Sequence, residues 1–143
     1  MRNILMINDH VQVNSPIGKR LLKYIVSGTI SAVCAWISSV ILFHFLSINF
    51  IYSQGIGFIV GLFINFPLSR RWAFRNRYAQ IGRQFGIFAS IASIGLGINE
   101  LSLYLLAGIL HWNVAVSMAV SLGVAFIWNF TLNNFVTFGL LKN

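Results

Sequence analysis

Four runs of apolar and small residues, at about positions 21–48, 50–69, 85–110 and 114–136, take up most of this 143-residue chain. As helices rising ~1.5 Å per residue, each is long enough to cross the ~30 Å hydrocarbon core of a bilayer. Lipid offers no partner for backbone N–H and C=O groups, so a spanning segment must be a helix or part of a closed barrel, and four spans cannot close a barrel. Composition points the same way. Hydrophobic residues make up 57% of the chain and charged residues 8%, for a mean hydropathy of +0.80 that no solvated surface tolerates. The expected fold class is an all-α membrane protein with four transmembrane helices.

Short turns at Asn49 and at His111–Asn113 join the runs into two hairpins, expected to pack as an up-down antiparallel bundle. Charge fixes the expected orientation. Lys19, Arg20 and Lys23 flank the first run, Arg70, Arg71, Arg75, Arg77 and Arg83 lie in the basic connector 70–84, and Lys142 follows the last run. The two turns hold no Lys or Arg. Because cytoplasmic loops collect these residues, both termini and the connector are expected in the cytoplasm. The net charge of +8 is then a topology signal, with attraction to anionic headgroups as a compatible second use, and no soluble basic face is left for nucleic acid. Residues 1–19 read as a mobile cytoplasmic tail whose Asp9 and His10 form no constellation. Cys34 stands alone inside the first run, which excludes an intrachain disulfide.

A repeat adds a second constraint. The stretch NFPLSRRWAF at 65–74 returns 64 residues later as NFTLNNFVTF at 129–138, so that Asn65, Phe66, Leu68 and Phe74 pair with Asn129, Phe130, Leu132 and Phe138. At the same offset Asn49 and Ser53 pair with Asn113 and Ser117. The expected architecture is two parallel repeats of one helical hairpin, the product of an internal duplication. Small residues mark the faces expected to pack: Ser27, Ser31, Ala35 and Ser39 in the first run, Gly57 and Gly61 in the second, and Ser117, Ser121 and Ala125 in the fourth.

Two acidic residues, three histidines and one cysteine supply no nucleophile with a base, no paired carboxylates and no metal ligands at workable spacing. Neither enzyme activity nor a metal or cofactor is expected, and His44 and His111 read as interfacial rings. Glu100, preceded by Asn99, is the exception inside the third run. A carboxylate there costs ~2.5–3.5 kcal/mol unless protonated or paired. It reads either as a neutral group bonded to a neighbouring Ser or Tyr, or as an intramembrane polar site or proton relay.

Asn65 shares a helix face with Ser69, and Asn129 with Asn133, because positions i and i+4 stack. These four side chains either line one inner-leaflet pocket or tie helix to helix. Arg70 and Arg71 follow at headgroup level, where a guanidinium holds phosphate bidentately, although ordinary flanking charge explains the same residues. Trp72, Phe74 and Phe138 are placed as interfacial anchors. Asn134 and Phe135 stand where the arginines would recur, so any phosphate site is asymmetric.

These residues resemble the GtrA-like family of small four-helix membrane proteins across roughly residues 20–140. The likeness rests on the opening Lys23-Tyr24-Ile25-Val26-Ser27-Gly28, on Asn65, Phe66, Arg70, Arg71, Trp72 and Phe74, on the basic connector, and on Asn129, Phe130, Asn133 and Phe138. Ser69, where the family often has Asn, and Asn134, where it often has a basic residue, depart from the pattern. The resemblance implies a flippase, or its accessory subunit, for an undecaprenyl-phosphate-linked sugar in the cytoplasmic membrane of a bacterium or archaeon. Such a protein would serve cell-surface polysaccharide synthesis, such as O-antigen or teichoic acid modification. Arg70 and Arg71 would then capture phosphate, with Asn65, Ser69, Asn129 and Asn133 on sugar or phosphate oxygens and Glu100 midway. Expected partners are the lipid-linked sugar, the membrane, and a second copy or a membrane glycosyltransferase. A non-transporting scaffold for that glycosyltransferase is the alternative, and a proton-coupled exporter of small cations, which leaves the arginines without a role, the more distant one.

Overall fold

The computed structural model describes residues 16–141, all of whose regular elements are helical. Helix α1 is Ile17–His44; α2 is Phe50–Leu68 and continues as a π-helical segment over Ser69–Ala73. Helix α3 is Ile81–Leu103, continued by π-helical Tyr104–Ile109, and α4 is Val114–Leu132, continued by π-helical Asn133–Leu140. Four segments of 23 to 29 residues, Ile17–His44, Ile51–Ala73, Ile81–Ile109 and Val114–Leu140, are long and apolar enough to cross a membrane. The sequence tail at 1–15 and Lys142 lie outside the described residues.

Helix ends fall where hydrogen bonds place them and not where hydropathy changes. The first run extends to 48, yet α1 stops at His44, because Ser47 turns left-handed (φ 52°) and the Ile48 N–H folds back to the Leu42 carbonyl at 3.0 Å. At the other end of the chain's middle, α3 begins at Ile81 and takes Arg83 and Gln84 into its first turn, four residues ahead of the apolar run.

The chain divides into two compact units, residues 1–77 and 78–143. In the first, α1 and α2 form an antiparallel hairpin. Its tip is capped by Asn49, whose side chain accepts the Ile51 N–H at 2.9 Å, while Ser53 Oγ donates to the Asn49 carbonyl at 3.1 Å. Ser27, Ser31 and Ser39 of α1 are buried along the seam. Ser31 and Ser39 donate to carbonyls of their own helix, so their hydroxyls enter an apolar contact without an unmade bond. Gly57 and Gly61 face them. A Cβ on Gly57 would overlap Ser39 Oγ and come within 2.6 Å of the Ala35 carbonyl oxygen, and one on Gly61 would lie 3.1 Å from Ala35 Cβ. The small residues of both helices therefore meet each other, and the backbones touch. Leu22, Trp36, Ile51 and Phe63 point outward and are exposed, as a lipid-facing surface requires.

The second unit is the α3–α4 hairpin. Its tip repeats the same devices 64 residues on: left-handed His111 (φ 53°), the Trp112 N–H to the Leu106 carbonyl at 3.0 Å, and Asn113 accepting the Ala115 N–H at 3.0 Å. Ser117, Ser121 and Ala125 are buried in its seam. Near its open end Gln84, Asn133 and Thr137 are completely buried and satisfied together: Gln84 Nε2 donates to the Thr137 carbonyl at 3.0 Å, and Thr137 Oγ1 to Asn133 Oδ1 at 2.8 Å. Trp128 Nε1 bridges to the Ile91 carbonyl at 3.2 Å. Gly95 makes room for the Asn129 amide, whose atoms would stand 2.5–2.8 Å from any Cβ at that position. Gly95→Ala is therefore expected to destabilise this hairpin by ~1–3 kcal/mol. Thermal denaturation of the purified protein in neutral detergent checks this, with Gly97→Ala, which meets nothing within 4 Å, as the comparison.

Candidate functional site

The end of α2 is built differently from an ordinary helix terminus. Beyond Leu68 the helix widens to π geometry, closing with the Phe74 N–H on the Ser69 carbonyl at 2.9 Å. Arg75 then adopts the left-handed conformation (φ 49°), and the Asn76 N–H returns to the Arg70 carbonyl at 2.8 Å. This reversal gathers Arg71, Arg75, Asn76 and Arg77 around a cavity of about 280 Å³. Asn76 is buried, and the three arginines are exposed. Left-handed backbone at a residue other than Gly is uncommon and strained, a condition that concentrates at binding sites.

Three contacts with α1 hold that reversal in place. The Tyr24 and Phe74 rings meet edge to face, 5.7 Å between centroids and 61° between planes. Lys23 Nζ lies 5.8 Å above the Trp72 ring. Ser69, completely buried, donates to Asn65 Oδ1 at 2.9 Å and lies 3.3 Å from Ser27 Oγ, which itself donates to the Tyr24 carbonyl at 3.0 Å. Two hydroxyl protons thus serve three contacts, coupling the base of the site to the first turns of α1.

The charged side chains lining the cavity are all arginines. The sequence holds two acidic residues, Asp9 and Glu100, and neither lies between 16 and 80. Three guanidiniums lie around one cavity, and each presents donors in the planar fork that matches phosphate or carboxylate.

Of the residues singled out from sequence, Arg71 lines the cavity, and Arg70, half-buried, precedes it. Trp72 lies under Lys23 and Phe74 against Tyr24, so both rings are also bound within the hairpin. Asn65 and Ser69 form one tie in the first unit. In the second unit Asn133 is buried on Thr137, and Phe138 is buried with its ring 6.1 Å from Phe88. Asn129 Oδ1 is buried there with no hydrogen-bond partner. Glu100 is exposed on α3 and accepts from Asn99 Nδ2 at 3.4 Å. Arg75, Asn76 and Arg77, read from sequence as connector, are the additional members. The reversal that recruits them turns on a non-glycine left-handed residue, for which the sequence carries no signal.

No solved structure matches the chain. The family model described as GtrA/DPMS, transmembrane domain, matches residues 23–138. The match takes in both motifs, the reversal between them and the greater part of all four helices, so the chain is a multi-pass membrane protein that belongs to the GtrA/DPMS transmembrane-domain family.

Proposed function

We propose that this chain moves a polyprenyl-phosphate-linked sugar from the cytoplasmic to the outer leaflet of the cytoplasmic membrane, and that it does so without catalysing a covalent step. One observation carries the reading: Arg71, Arg75 and Arg77 converge on a cavity at the end of an apolar helix, with no carboxylate in the same unit's described residues. That arrangement suits an anion whose tail lies in the membrane. The positive ends of the chain support a cytoplasmic location for both termini. Recurrence of the tip geometry and of the Tyr24–Phe74 packing as Phe88–Phe138, 64 residues on, supports descent from a duplicated hairpin. In the first unit Asn65 and Ser69 tie the helix end beneath the arginines, and in the second unit Asn129, Asn133 and Glu100 are the further polar groups on which the reading draws.

Lipids co-purifying with the protein test this reading. Mass spectrometry is expected to find polyprenyl-phosphate species enriched with the unaltered chain and reduced about tenfold or more with Arg71→Ala. Equal recovery from both proteins would remove the arginines from the reading.

A second reading, a membrane scaffold for a glycosyltransferase, is favoured by one feature. The outward face of α3 carries Gly86, Ser90, Ser93 and Gly97, and a Cβ on either glycine meets nothing within 4 Å. Such a face suits another transmembrane helix.

A further inference from the structure

The carboxyl of Glu100 sits where a lipid-facing helix should hold none. Helix α3 and its continuation, Ile81–Ile109, form a 29-residue spanning segment whose midpoint is Gly95. With that midpoint at the bilayer centre, Glu100 lies ~7.5 Å beyond it, inside the ~15 Å half-thickness of the hydrocarbon core. The side chain is exposed, and its contact with Asn99 Nδ2, at 3.4 Å, is longer than a well-formed bond. A carboxyl at that depth needs a partner.

The face that carries it is as unusual as the residue. Gly86, Ser90, Ser93 and Gly97 lead up to Glu100 at spacings of three and four, all exposed, on the side of α3 opposite the buried Gln84, Phe88, Ile91 and Gly95. The repeat supplies an internal comparison. Sixty-four residues earlier the same positions on α1 are Leu22, Val26, Thr29, Val33 and Trp36, equally exposed and mostly large, the composition of a lipid-facing row. Packing inside the hairpin does not account for the change. A Cβ on Gly57, Gly61 or Gly95 would press on the facing helix of its own hairpin, whereas one on Gly86 or Gly97 meets nothing within 4 Å.

We propose that this face of α3 is the contact between two copies of the chain, with the two Glu100 carboxyls hydrogen-bonded to each other across a two-fold axis along the membrane normal. Copies of one chain insert in one orientation, so an isologous contact brings each residue against itself. This face meets that condition at every level. Gly86 and Gly97 let the backbones approach, Ser90 and Ser93 meet hydroxyls, and Glu100 meets a carboxyl, which donates or accepts according to which of the two holds the proton. A second copy brings no cation to that depth, because the Lys, Arg and His residues of the sequence fall outside 84–110. A carboxyl pair needs none, and it avoids desolvating the two charges of an ion pair with a foreign helix. The contact leaves the arginine cavity, in the other hairpin, untouched, and it holds for a transporting chain and for a scaffold alike.

The test uses membranes of cells that co-express two differently tagged copies of the full chain, both carrying Cys34→Ser, oxidised with copper phenanthroline. With Ser93→Cys, a disulfide-linked product containing both tags is expected in at least about tenfold greater yield than with Thr29→Cys, the repeat-equivalent position on α1, because the bond requires Cα atoms within about 7 Å. Adding Glu100→Leu should lower the Ser93→Cys yield about fivefold or more, while Glu100→Gln, which keeps a donor and an acceptor, should hold it within about twofold. Equal yields from Ser93→Cys and Thr29→Cys, or a linked product with a single tag, would overturn the contact between copies. Loss as complete with Glu100→Gln as with Glu100→Leu would overturn the carboxyl pair and point to a cation on a foreign helix. The Ser93→Cys and Thr29→Cys comparison decides the contact even if a Glu100 variant fails to fold.

Discussion

Vesicles carrying the Arg71→Gln/Arg75→Gln/Arg77→Gln chain are expected to move a labelled polyprenyl-phosphate sugar at least about a hundredfold more slowly than vesicles carrying the unaltered protein. Hydrogen bonds to a charged group contribute ~1.5–3 kcal/mol each, and each ~1.4 kcal/mol is a factor of ten, so two such bonds lost in full already reach that size. A single substitution is expected to cost about half of that effect in free energy, about tenfold, because the remaining guanidiniums share the anion. Folding should survive. All three side chains are exposed, while the reversal itself is held by Tyr24, Phe74, Ser69 and main-chain bonds. Gln keeps length and polarity, and the comparison is Arg83→Gln, which removes one arginine from the start of α3.

Gly57→Leu should have the largest effect on stability. A single Cβ at this position already overlaps Ser39 Oγ and presses on the Ala35 carbonyl oxygen. Excess methylenes in a packed interior cost ~1–3 kcal/mol where side chains can yield, and here one obstacle is backbone. In a bilayer the α1–α2 contact has no hydrophobic drive to replace lost packing, since lipid is as apolar as the helix surface. Separation of the hairpin would also remove Tyr24 from Phe74 and Ser27 from Ser69, so the cavity should lose its anion affinity along with the fold. A Cβ at Gly55 on the same helix meets nothing within 4 Å, and Gly55→Leu is expected to stay within ~0.5 kcal/mol of the unaltered protein. Resistance to unfolding in a mixed-micelle denaturant series would measure both.

The parts of this structure legible in sequence are those governed by composition and by periodicity. Apolar runs identify four long helices because lipid permits little else. Ser31, Ala35 and Ser39 opposite Gly57 and Gly61 could be read as contact faces because close backbone approach needs short side chains wherever it occurs. Helix ends were less accessible. Hydropathy changes at Arg70, yet the helix runs on to Ala73 in π geometry, since the last turn answers to carbonyls needing partners and not to polarity. Arg75 and Arg77 join Arg71 through the left-handed turn at Arg75, a position where most sequences would place Gly or Asn. Gly95 was equally silent, because its significance depends on Asn129 across the hairpin. Phe138, placed from sequence as an interfacial ring, packs on Phe88, a contact that two stretches 50 residues apart create only after folding.

Transport and scaffolding both use the same four helices, and they part at a single point, the passage of lipid between leaflets. The deciding measurement is therefore the rate at which purified full-length protein, reconstituted into neutral vesicles, exposes an inner-leaflet polyprenyl-phosphate hexose to an impermeant probe outside. Exposure well above that of protein-free vesicles, and lost with Arg71→Gln/Arg75→Gln/Arg77→Gln, is the result expected of a translocase. Exposure no faster than in protein-free vesicles, from protein that still binds the lipid, would contradict transport and leave the scaffold.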